Sequence, residues 1–200
     1  MSTLARLSRA DRKEQTRQAL LDAGRALFVR DGFHATTLDR IAAEAGFTKG
    51  AVYASFPTKA DLFLAIFEAR VDERIPRIRA FGARARSLDA YSKAMIRDWQ
   101  RVLRDEHEWS LLLIEFWVHA ARTPDLRDRL EAQRHRIRDA VVEAARAAGG
   151  EEVLEMDVEE FMSAQLALAN GYNLEALLEP ERAPARFGRA SQALFYGARR

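Results

Sequence analysis

Apolar positions recur every three to four residues along nearly the whole chain, the period of a helix face. Ala19, Leu20, Ala23, Leu27 and Phe28 make such a face, and Asp31-Gly32 ends it, with the glycine able to take a positive φ. Thr36-Thr37 offers an N-cap for a short helix ending near Ala45, where Gly46 punctuates. Thr48 caps a second short segment through about Phe56, and Pro57 stops it. Thr58 with Asp61 resembles a capping box for a helix carrying Leu62, Phe63, Ile66 and Phe67, which Pro76 is expected to end or kink. Ser87 caps a helix bearing Tyr91, Met95, Trp99 and Leu103, and a further helix covers about residues 106–121. Thr123-Pro124-Asp125 opens a long helix that runs to Gly149-Gly150. The last two span about 157–178 and about 184–199. No stretch has the two-residue period of a strand. The pattern predicts an all-α protein of about nine helices.

Composition changes this picture little, and charge changes it more. At 48% hydrophobic and 31% charged residues, the 200-residue chain reads as an ordinary globular protein. It has no cysteine, which excludes disulfides, thiolate zinc sites and cysteine nucleophiles. The formal net charge is only +2, an average that argues against a surface built for nucleic acid. The average hides a split. Residues 1–60 carry ten Lys and Arg against six Asp and Glu, and subtraction from the totals of 32 and 30 leaves 22 against 24 in the remainder. A basic head with a surplus of four is thus joined to a mildly acidic body, and three of the four lysines (Lys13, Lys49, Lys59) lie in the head. The most apolar stretch, Trp109 to Ala121, is interrupted by Glu115 and His119 and falls short of the ~20 residues of a membrane span. A cytoplasmic location without membrane attachment is the expectation.

Chemistry concentrates in Leu38 to Pro57, where Ala42, Gly46 and Val52 have the spacing of a helix-turn-helix. Ala42 permits close approach of the two helices, Gly46 supplies the backbone angle of the turn, and Ile41, Val52 and Phe56 form a small core. Lys49, Gly50, Tyr53 and Ala54 then share the opposite face of the second helix, a small polar surface suited to a major groove about 12 Å wide. The helix start at Thr48 offers N–H groups to a phosphate, and Thr37, Tyr53 and Lys59 flank it as further phosphate contacts. An arm with Arg6, Arg9 and Arg12 precedes the first helix.

The run TTLDRIAAEAGFTKGAVYASFPTKADLF (Thr36 to Phe63), with ALFVRDGFHATT (Ala26 to Thr37) before it, resembles the TetR family of transcriptional regulators over about residues 12 to 68. The resemblance implies a homodimer that sets two recognition helices in successive major grooves of a palindromic double-stranded operator and releases it when a small-molecule effector binds. It implies phosphate contacts at Thr37, Tyr53 and Lys59 and base contacts or close approach at Lys49, Gly50 and Ala51. One departure is Ala54-Ser55, where many members of the family carry histidines. The expected organisation is a DNA-binding head over 1–57, a connecting helix over 58–76, and a ligand-binding and dimerisation domain over 77–200.

The larger region resembles the family loosely. EFWVHAARTPDLRDRL, within Trp109 to Leu130, is similar to ligand domains grouped with the choline-responsive repressor. Side chains on facing helices are the candidate ligand contacts: Met95, Trp99, Phe116, Phe161 and Gln165, with Trp109, Trp117 and Met162 nearby. Glu115 and His119, four residues apart on one helix, are candidates to recognise a polar group of the effector. The histidines have no metal-ligand spacing, and no nucleophile–base motif is present, so neither a metal, a cofactor nor catalysis is expected. The last two helices are the expected dimer contact.

Overall fold

A computed structural model describes residues 8–199. Among the described residues there are ten helices and no strand: α1 (Arg9–Ala35), α2 (Leu38–Glu44), α3 (Lys49–Ser55), α4 (Lys59–Arg84), α5 (Leu88–Asp105), α6 (His107–Ala121), α7 (Pro124–Ala147), α8 (Gly150–Val153), α9 (Val158–Ala176) and α10 (Ala183–Gly197). The helix beyond the nine expected is the single turn α8. Arg6 of the basic arm lies outside the described residues. Arg9 and Arg12 belong to α1 itself, whose first turn is closed by Ser8 and Asp11, each side chain accepting from the other's backbone N–H. The chain divides at Ala69/Arg70 into two compact units, and α4 contributes residues to both.

The first unit is held by a core that its short helices could not build alone. Leu20, Phe28, Ile41, Val52, Leu62 and Phe63 are fully buried there. The rings of Phe28, Phe33 and Phe63 meet pairwise at centroid distances of 5.6 to 5.8 Å. The helical path of α1 breaks at Gly32, where φ is +81°. Thr36, with no exposed surface, fixes the chain after the break by donating its hydroxyl to the carbonyls of Leu27 and Gly32. Thr37 is the N-cap of α2 and accepts from the Arg40 N–H.

In the second unit α10 packs on α5 and α9, and α9 packs on α7. Ile78, Tyr91, Val141, Phe161 and Phe195 lie at the centre of its core. The helix α4 does not end at Pro76 but runs on to Arg84. Val71 and Ile78, each 1% exposed, flank the proline, so burial of one helix face on both sides outweighs the cost of about 3 kcal/mol that an interior proline carries through its lost hydrogen bond and ring clash. Further along, the α carbon of Gly82 is so close to α7 that an added Cβ would lie 2.7 Å from backbone atoms of Ala144.

Candidate nucleic-acid interface and effector cavity

The helix-turn-helix forms as its caps require. Gly46 takes φ +72°, and nothing lies within 4 Å of where its Cβ would be, so the glycine is needed for the backbone angle alone. Thr48 caps α3 by accepting from the Ala51 N–H. Val52 turns into the core while Thr48, Lys49, Gly50, Tyr53 and Ala54 are exposed, Tyr53 by 50%. Ala51 is half-buried behind them. The outer face of α3 is therefore small, with one cation and one phenol.

Lys49 and Lys59 both have protein partners. Lys49 is ion-paired with Asp39 of α2, which raises its pKa through that hydrogen bond and charge. Lys59 donates to the carbonyl oxygens of Phe33 (2.6 Å) and His34 (3.1 Å), and its ammonium stands 4.6 Å from the Phe33 ring centroid. It thereby ties the start of α4 to the end of α1. Two arginines escaped the reading of the sequence. Arg40 bridges to Asp31 at 2.7 Å, and Arg17 covers the Phe56 ring at 4.6 Å. The signal available for Arg40 was its position three residues after the Thr37 cap, on the outward side of α2.

A cavity that opens partly to solvent lies in the second unit. From α5 it takes Tyr91, Ser92, Met95 and Trp99, and from α9 Phe161, Met162 and Gln165. Val141 of α7 and Phe187 and Ser191 of α10 complete the wall. Met95, Trp99, Phe161 and Gln165 of the sequence candidates are thus together. Glu115, Phe116 and His119 do not line this cavity. Phe116 is fully buried in the core, with the His119 ring 6.4 Å away, and Glu115 and His119 are half-buried on α6. Trp109 is buried beneath the Arg70 guanidinium, and Trp117 lies beneath that of Arg134. Tyr91 and Phe187 went unrecognised as cavity residues because their helical spacing is that of ordinary core. Burial raises the pKa of the Tyr91 phenol, which stays neutral at physiological pH.

Along α4, Arg70, Arg74 and Arg77 share one face by spacing. Asp98 of α5, a buried carboxylate, pairs with Arg74, Arg77 and Arg101, and Glu106 pairs with Arg70 and Arg101. Arg74 also lies over Trp99, 4.8 Å from the ring centroid.

Apolar side chains remain exposed at the end of the chain. Leu174 on α9 is 55% exposed and Leu178 just beyond it 85%, and Gly171 has open space on the same side by helical spacing. Phe187 and Phe195 of α10 are buried within the protomer instead.

With these features in place, comparisons assign the chain. Residues 20–66 match the profile of bacterial regulatory proteins of the tetR family, and residues 90–194 match that of the C-terminal region of BetI-type transcriptional repressors. The two matches define a helix-turn-helix regulator with a helical C-terminal region. The chain belongs to the TetR family. YfiR, an HTH-type transcriptional regulator of Bacillus subtilis, is 28% identical over 122 residues, 60% of this chain and 59% of that protein. The chain spans 59% or less of the length of each of the curated relatives it matches. Among solved structures, the triclosan complex of SmeT from Stenotrophomonas maltophilia superposes with a TM-score of 0.71 at 26% identity, over 92% of this chain and 91% of that one. A transcriptional regulator of Saccharomonospora viridis in complex with choline superposes with a TM-score of 0.75 at 18% identity, over 93% and 98%.

Proposed function

We propose that this protein is a DNA-binding transcriptional repressor that releases a palindromic operator when a small-molecule effector binds. The exposed outer face of α3 carries this reading: Lys49, Gly50 and Tyr53 face outward on a helix whose opposite side is locked into the core by Val52. In this account Lys49 leaves Asp39 to reach a base edge, Gly50 and Ala51 let the backbone come close, and Thr37, Thr48, Tyr53 and Lys59 contact phosphate. Membership of the TetR family supports it. No described helix is long and apolar enough to cross a membrane, which agrees with work on DNA in the cytoplasm.

Two copies act together. Gly171, Leu174 and Leu178 are apolar surface in search of a partner, and a two-fold contact through α9 and α10 would cover them. The pair would hold its α3 helices about 34–36 Å apart, one turn of DNA. The effector site is the cavity lined by Met95, Trp99, Phe161 and Gln165. Occupancy changes that spacing through α4, whose residues belong to both units. Titration of the full chain into labelled duplex from the region flanking its own gene tests the reading. Saturable binding that weakens linearly in log salt and exceeds binding to random duplex is the expected result, and equal affinity for both duplexes would contradict it.

A further inference from the structure

The cavity wall also limits the chemistry of its ligand, an inference that rests on the effector reading above. No Asp, Glu, Lys, Arg or His lines the cavity. The polar groups that do line it are mostly engaged within the protein. Tyr91 donates to the Val141 carbonyl at 3.2 Å, and Trp99 Nε1 to the Ala169 carbonyl at 3.2 Å. Ser191 Oγ donates to Gln165 Oε1 at 2.7 Å, and Gln165 Nε2 to the Ser191 carbonyl at 3.1 Å. A charged ligand would give up its hydration on entry and meet no counter-ion.

A cation fares worse than an anion. The Trp99 ring already carries the Arg74 guanidinium, so a cationic ligand would share that ring's attraction with it. Arg74 stands in a network where four guanidiniums (Arg70, Arg74, Arg77, Arg101) share the two carboxylates of Asp98 and Glu106. The guanidinium over Trp99 is thus held in place by the Asp98 carboxylate. Meanwhile Tyr91, Phe161 and Phe187 present ring surface, and Met95 and Met162 present flexible thioethers that adapt to shape.

We propose that the cavity takes an uncharged, mainly apolar molecule with an aromatic part and rejects quaternary ammonium ions such as choline, with Arg74 as the residue that sets this preference. Arg74 acts through Trp99 and is not part of the lining. The preference runs against the simplest expectation from a BetI-type C-terminal region.

The test uses the full chain and three probes on one naphthalene frame: neutral 2-methoxynaphthalene, anionic 2-naphthoate and cationic trimethyl(2-naphthylmethyl)ammonium, with choline alongside. Affinity is read by titration calorimetry and by the shift in melting temperature. The neutral probe is expected to bind at least tenfold more tightly than either ion, and choline to leave the melting temperature unchanged. Arg74→Met is expected to narrow the neutral-over-cation ratio at least fivefold while moving the neutral affinity less than twofold. Should that variant fail to fold, Arg74→Gln, which keeps a donor for Asp98, takes its place. An ion that binds as tightly as the neutral probe, or failure of all three probes to bind the folded wild-type chain, overturns the ligand class. An unchanged ratio in a folded Arg74 variant overturns the role of Arg74. DNA binding measured without any probe reports on the repressor reading separately, so either can fail while the other stands.

Discussion

Lys59 carries two demands at one position. Its ammonium satisfies two carbonyls at the end of α1, yet its place beside α3 suits it to a phosphate. Lys59→Ala should therefore lower stability by about 1–3 kcal/mol, the worth of hydrogen bonds to a charged group, and weaken binding to all DNA sequences alike. Urea denaturation separates the first effect from the second, and Lys59→Arg should restore more of the DNA affinity than of the stability. Lys49 is different. Its ion pair with Asp39 lies at the surface, so Lys49→Ala should leave stability nearly unchanged. The sequence pointed to both lysines from their place around the helix-turn-helix. It could not reveal their present partners, because Asp39 reaches Lys49 only once α2 packs on α3, and the Phe33 carbonyl reaches Lys59 only once the start of α4 meets the end of α1.

At the scale of elements, two glycines do opposite work. Gly46 sits in open space with a positive φ, so Gly46→Ala should cost about 1–2 kcal/mol through backbone strain alone. Gly82 lies against the backbone of Ala144, so Gly82→Ala should cost about 1–3 kcal/mol by forcing α4 and α7 apart. Melting of the two variants distinguishes them, since Gly46→Asn should recover part of the loss and Gly82→Asn should worsen it. Only the first glycine was legible beforehand: a turn announces itself locally, through Thr48 and the Ala42 spacing, while a helix crossing involves a partner 62 residues away. The same distinction explains Pro76. Local rules end a helix there, and the burial of Val71 and Ile78 carries α4 through it. It also explains the cavity, where Met95, Trp99, Phe161, Met162 and Gln165 were named from helical spacing while Glu115 and His119, chosen for polarity in an apolar run, stand elsewhere.

At the scale of the molecule, the charge split and the exposed apolar surface belong to one design. The head that presents α3 carries a basic surplus of four, and the rest of the chain a slight acidic one. In the proposed two-fold pair, Leu174→Glu should leave only monomer in sedimentation, because the leucine is exposed in the protomer and its loss opens no cavity. The fold should survive, and DNA affinity should fall roughly 100-fold as two linked contacts become one. The central claim, that paired α3 helices read DNA sequence, is tested most directly by selecting bound duplexes from a random pool with wild type and Lys49→Ala side by side. The account predicts that wild type enriches a palindrome with half-sites one helical turn apart, and that Lys49→Ala relaxes a matching position in each half. A pool that stays random with wild type, or an identical palindrome from both proteins, would contradict it.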